Sequence, residues 1–202
     1  MKHWLCTLLA VCALAPAAVA ADKKGAKAAP TDSLTSLERA VARDSSNFDN
    51  LLRLGAMYVD RDRPIEAQRV LTRANVVRPK NVRVLVNLGA AYDASGAAPH
   101  AQMLYRQALA IAPGDMLASC RLASSLYAFG KHAEAVDLLR GVIREKPIAY
   151  CAYFTMGVAF ADAGIYREAI RMWRKVVEIA PDSPEAASAR ESIEVLQKFV
   201  GM

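Results

Sequence analysis

A period of 34 residues constrains this chain more than any other feature. Gly55, Gly89, Ala123 and Gly157 follow one another at that interval, as do Ala67, Ala101, Ala135 and Ala169. Pro79, Pro113, Pro147 and Pro181 keep a third register. Leu71, Tyr105, Leu139 and Trp173 keep a fourth, and Tyr58, Tyr92, Leu126 and Phe160 a fifth. A unit of this length cannot bury a core alone, so the units must stack and share one. The composition allows it: 54% of the 202 residues are hydrophobic and 23% are charged, which supports a packed chain and not a disordered one.

Local chemistry divides each unit into two helices. Gly or Ala on the first helix, and Ala in the middle of the second, let two backbones approach, while large residues a turn away fill the space beside them. Turn and C-cap residues separate the helices at Asp60 to Arg63, Ser95-Gly96, Gly130-Lys131 and Gly164. The periodic prolines stop the second helix. Asn81 and Asp115 stand where the next helix wants an N-cap, whereas Pro147-Ile148-Ala149 offers no polar cap. Leu34, Leu37, Ala40 and Val41 make a short amphipathic helix at the phase of a second helix without its partner. Asp182-Ser183-Pro184-Glu185 starts a last helix, with an apolar stripe of Ala186, Ala189, Ile193, Leu196 and Val200. Arg190, Glu191 and Glu194 occupy the repeat registers there, as a solubilising cap requires. Ten helices and no strand are expected.

The registers resemble those of the tetratricopeptide repeat (TPR) family. The first copy supplies Leu51, Leu54, Gly55, Tyr58, Ala67, Leu71, Ala74 and Pro79. The second supplies Leu85, Leu88, Gly89, Tyr92, Ala101, Tyr105, Ala108 and Pro113. The third is weaker, with Ser119, Ala123 and Val142 at registers that usually hold a bulky residue, Gly and Ala. The fourth has Tyr153, Met156, Gly157, Phe160, Ala169, Trp173, Val176 and Pro181. The resemblance implies an all-α, right-handed α-solenoid of four TPR helix pairs with a short N-terminal helix and a C-terminal capping helix. The TPR domain is placed at 33–202, with repeats at 48–81, 82–115, 116–149 and 150–183 and the cap at 184–200.

In this family the first helix of each pair lines a concave groove. Carried over residue by residue, the resemblance assigns Leu52, Arg53, Arg83, Val86, Asn87, Ala90, Cys120, Arg121, Ser124, Tyr127, Phe154 and Val158 to a partner-binding surface. Leu52, Val86, Cys120 and Phe154 share one register, and Ala90, Ser124 and Val158 another, so an apolar floor with a polar rim is expected. Such a surface suits an extended segment or an amphipathic helix of a protein partner. The carboxylate clamp of chaperone-binding members is matched only by Asn87 and Arg121. Leu52, Ala56 and Leu117 stand where Lys, Asn and Lys are needed. Cys120 and Cys151 lie on neighbouring first helices, which makes them candidates for a disulfide joining repeats three and four.

Residues 1–20 read as a cleaved export signal: Lys2, an apolar run from Trp4 to Leu14, and Ala18-Val19-Ala20 before the cut. A lipidated Cys12 is the minor alternative, and a membrane contact is expected only through that lipid or an uncleaved leader. Residues 21–32 read as a flexible Lys/Ala-rich linker. The mature chain is therefore expected to be periplasmic or secreted. Without the leader, 25 basic residues face 20 acidic ones, a mild excess that lacks the basic stripe nucleic-acid binding needs. His100 and His132 hold different repeat phases with no acid or Cys at ligand spacing, so no metal is expected. There is no phosphate-cradling loop, nucleophile elbow or Cys-x-x-Cys pair. The expectation is a non-enzymatic adaptor of the cell envelope, without cofactor or small-molecule substrate, serving assembly of a pilus, secretion or outer-membrane complex. A self-associating scaffold is the alternative, and a thiol-dependent redox or enzymatic role at Cys120 and Cys151 the third reading.

Overall fold

The computed structural model describes residues 34–201, so the expected export signal at 1–20 and the expected linker at 21–32 lie outside the described residues. Among these there are ten helices and no strand. We number them α1 (Leu34–Arg43), α2 (Phe48–Asp60), α3 (Pro64–Val77), α4 (Val82–Ala94) and α5 (Ala98–Ile111). There follow α6 (Met116–Ala128), α7 (His132–Glu145), α8 (Tyr150–Asp162), α9 (Tyr166–Ile179) and α10 (Pro184–Val200). The chain forms two compact units, 34–125 and 126–201.

The periodic residues terminate the helices as their chemistry requires. The first helix of every pair ends in the same device. Arg63, Ala97, Lys131 and Ile165 donate their backbone N–H to the carbonyls of Tyr58, Tyr92, Leu126 and Phe160, at 2.8 to 2.9 Å. This six-to-one closure needs a left-handed residue just before its donor. Gly96, Gly130 and Gly164 supply it, with φ of 80°, 83° and 75°. In the first pair Asp62 takes the same conformation at φ 53°, which a short polar side chain tolerates better than most. Helix starts are capped by Asn47, Asn81, Asp115 and Ser183, each accepting from the N–H three residues on. Ala149 gives α8 no side-chain cap.

In the unit 34–125, α1 packs on α2, α2 on α3 and on α4, and α3 and α5 on α4. A Cβ on Gly55 would meet the Leu71 side chain, and one on Gly89 the Tyr105 ring, so glycine is what lets these pairs close. Leu51, Leu71, Ala67, Ala74, Ala101 and Tyr105 are buried in the resulting core. Polar ties add direction to it. Tyr58 donates its hydroxyl to Glu38 on α1 at 2.7 Å. Gln68 on α3 donates to the Ala91 carbonyl on α4 at 3.1 Å.

In the unit 126–201, α8 packs on α7, α9 and α10, and α9 on α10. Trp173 covers Gly157, where a Cβ would strike the indole, and its Nε1 donates to the Phe154 carbonyl at 3.2 Å. Phe154, Ile170, Trp173, Val176, Ala186, Ala189 and Leu196 form one buried cluster. The capping helix closes the core with its small-residue stripe, as its sequence pattern predicts.

Candidate functional site

The twelve groove residues divide by exposure, and the division corrects the expected apolar floor. In the unit 34–125, Leu52, Val86, Ala90 and Cys120 are 5%, 3%, 7% and 4% exposed and so are core residues. The physical reason is visible at α2 and α4, which pack against each other and consume the register between them. Arg53 and Arg83 are exposed, while Asn87, Arg121 and Ser124 are half-buried. The accessible ones among these residues are therefore polar. In the unit 126–201, Phe154 is likewise inside the terminal cluster, leaving Tyr127 and Val158 half-buried.

Arg53, Asn87 and Arg121 hold one repeat register on α2, α4 and α6, one residue after the buried Leu52, Val86 and Cys120. Arg121 acts on two carboxylates. Burial raises the pKa of Asp60 and the Arg121 charge opposes the rise. Burial also raises Asp93, opposed by hydrogen bonds from Ser125 and Tyr105 and then by Arg121. The Asp93 carboxylate accepts the Ser125 hydroxyl at 2.7 Å and the Tyr105 hydroxyl at 2.9 Å, one on each oxygen. Burial, reinforced by the Asp93 charge, holds the Tyr105 hydroxyl well above the usual phenol range. Asp93 thus knots α4, α5 and α6 beside the polar wall.

The sequence reading missed this knot, although a signal existed. Tyr105 is the one residue of its register with a hydroxyl, and its copy alone carries an acid at the register of Val59, Asp93, Tyr127 and Ala161. His100 stacks on Tyr92 with ring centroids 5.4 Å apart, and His132 meets Tyr127 edge-on at 4.4 Å. Among the described residues no group of three His, Cys, Asp or Glu could hold a metal ion. Cys120 and Cys151 are both buried half-cystines.

Residues 82–185, just over half of the chain, match the family model of the tetratricopeptide repeat. Solved structures share the fold. MamA is 24% identical, with 72% of this chain and 85% of that chain covered and a TM-score of 0.59. TTC0263, a thermophilic TPR protein of Thermus thermophilus, is 16% identical over 81% of this chain and 88% of its own, with a TM-score of 0.70. YrrB, described as a TPR protein with an unusual peptide-binding site, is 23% identical over 78% and 81%, with a TM-score of 0.55. At these identities the likeness is one of fold. No curated protein matches the chain.

Proposed function

The chain belongs to the tetratricopeptide repeat family, a fold that serves protein–protein interaction, and from that premise we propose a non-enzymatic adaptor that holds an extended segment of a partner on the polar wall of residues 34–125. The observation that carries this reading is the accessible register Arg53, Asn87 and Arg121 beside a buried apolar one. A side-chain amide such as Asn87 both donates and accepts, which matches a peptide group. Arginines at the same register suit carboxylates, bidentate where the geometry allows. An extended segment with acidic residues satisfies both, and an amphipathic helix laid on an apolar floor does not, since that floor is closed. YrrB, with its peptide-binding site, is a precedent on the same fold.

We place the adaptor in the cell envelope, periplasmic or secreted, on the strength of the leader-like residues 1–20. There it would serve assembly of a pilus, secretion or outer-membrane complex. Self-association is the second reading, in which the segment held belongs to another copy. Cys120 and Cys151 are both half-cystines, and we read each as structural. A thiol-dependent activity would then have no thiolate to use. Thiol titration of the native protein should find neither cysteine reactive, and free thiols would reverse that reading.

The test of the adaptor is capture from envelope extract by residues 21–202, compared with the Asn87→Ala and Arg121→Glu variants at matched helicity. A partner retained by the parent and lost by both variants is expected. Equal capture by all three would remove the polar wall as the binding surface. Recovery of the bait's own chain, with a mass that grows with concentration, would favour the scaffold.

A further inference from the structure

Within the unit 126–201 a cavity of about 650 Å³ opens between α7 and α8. Its walls are Val136, Met156, Ala159, Phe160 and Ile165, and Tyr127, His132 and Asp162 supply its polar side. The repeat registers explain why it is there. Gln68 spans from α3 to the Ala91 carbonyl and to Ser95 Oγ, at 3.1 and 2.8 Å. Gln102, one repeat on, reaches from α5 to the Ser125 carbonyl at 3.5 Å. Val136 is the next residue of that register, too short and without a donor, and Ala159 follows Ala91 and Ser125. The amide that ties the helices in the earlier copies is missing here, beside the cavity.

The lining is specific in charge as well as shape. No Lys or Arg is among the lining residues, and Asp162 is the acid. The Tyr127 hydroxyl donates to Asp162 at 3.2 Å, and His132 meets the Tyr127 ring edge-on. Carboxylate oxygens keep further acceptor capacity beside such a bond. A cation on an apolar stem complements this set, its charge at Asp162 and its methylenes against the aromatic and aliphatic walls. An acidic residue would meet Asp162 with like charge. The volume falls in the range of about 300–1,000 Å³ that takes several side chains or a small ligand.

We propose that this cavity is a second anchor, which receives a Lys or Arg side chain together with an adjacent large apolar side chain from a partner segment. The proposal rests on the adaptor reading but uses a different surface from the polar wall, so the two fail separately. The cavity's chemistry differs from that of the wall: Arg53, Asn87 and Arg121 suit an acidic ligand, Asp162 and Met156 a basic and apolar one.

The test is methionine-methyl NMR on residues 21–202, read at Met156, with two short blocked peptides and a peptide of residues 21–32 as probes. One blocked peptide carries Lys, Leu and Phe on an alanine background, and the other replaces each Lys with Glu. A saturable Met156 shift is expected with the Lys peptide, roughly tenfold weaker with the Glu peptide. Asp162→Asn should weaken the Lys peptide about fivefold through loss of the ion pair. Val136→Phe, which fills the cavity, should abolish the shift at unchanged helicity. Equal responses to both peptides, or no effect of Asp162→Asn, would overturn the proposal even if Val136→Phe failed to fold. A response confined to a peptide of residues 21–32 would overturn the partner assignment in favour of the chain's own segment. Loss of the Met156 response with capture still sensitive to Arg121→Glu would sink the cavity alone, and the converse would sink the wall alone.

Discussion

Residues 34–125 and 126–201 are built from the same repeat and held together differently. The first unit is stitched by directed polar bonds: Tyr58 to Glu38, Gln68 to Ala91 and Ser95, and Tyr105 and Ser125 to Asp93. The second relies on mass and shape, with Trp173 at the centre of an apolar cluster and a cavity where the amide tie is absent. Directed bonds fix a register but contribute little net free energy each, since water offers the same bonds to the unfolded chain. Burial of a large aromatic contributes more and specifies less. Both units bury an apolar core, around Leu51, Leu71 and Tyr105 in the first and Trp173 in the second, and the first adds the directed ties to it.

The sharpest way to break the comparison is Trp173→Ala. It leaves a cavity and removes the indole donor from the Phe154 carbonyl, and should cost about 3–5 kcal/mol in chemical denaturation. A melt unchanged by it would contradict the register on which the whole second core depends. Gly89→Ala is the counterpart in the first unit. The new Cβ would sit against the Tyr105 ring and push its hydroxyl off Asp93, at a cost of about 1–3 kcal/mol. Loss of stability without a change in Tyr105 ionisation would separate the packing effect from the hydrogen bond.

Gln68→Val tests the tie itself by importing the second unit's solution into the first. It should cost about 0.5–1.5 kcal/mol, and Val136→Gln should not destabilise by a comparable amount, since the cavity can receive the longer side chain. Equal penalties in the two units would show that the register is not interchangeable between them.

The smallest effect is a pH dependence at Asp93. Its folded pKa is raised by burial, so the folded state holds a proton more tightly than the unfolded chain does. That contribution to stability is complete below the ordinary carboxylate value and is lost as pH rises through the raised one. Wild type should accordingly gain stability relative to Asp93→Asn when the pH is lowered from neutrality toward the carboxylate range. Parallel pH profiles of the two proteins in urea would remove the buried-carboxylate account.

The periodic residues made the fold legible in advance, because each acts locally. Gly96, Gly130 and Gly164 adopt the left-handed turn that follows the first helix of the last three pairs. Asn81, Asp115 and Ser183 cap the helices they precede, and Ala149 leaves α8 uncapped. The candidate site was half legible. Arg53, Asn87 and Arg121 are accessible, but Leu52, Val86, Cys120 and Phe154 are not. Sequence phase tells which side of a helix a residue is on and not how closely the neighbouring helix approaches that side. Where α2 packs on α4, Leu52 and Val86 are buried. The same limit hid the Asp93 knot and the cavity beside Val136, since both arise from residues brought together from different helices.

The sequence by itself determined the helices, their ends, their pairing and the family, because those follow from 34-residue spacing and single-residue chemistry. Only the tertiary structure decided which face stays open, where a carboxylate is buried and where a side chain is too short to reach. Those outcomes depend on distances between non-adjacent helices, and a one-letter register carries no distance.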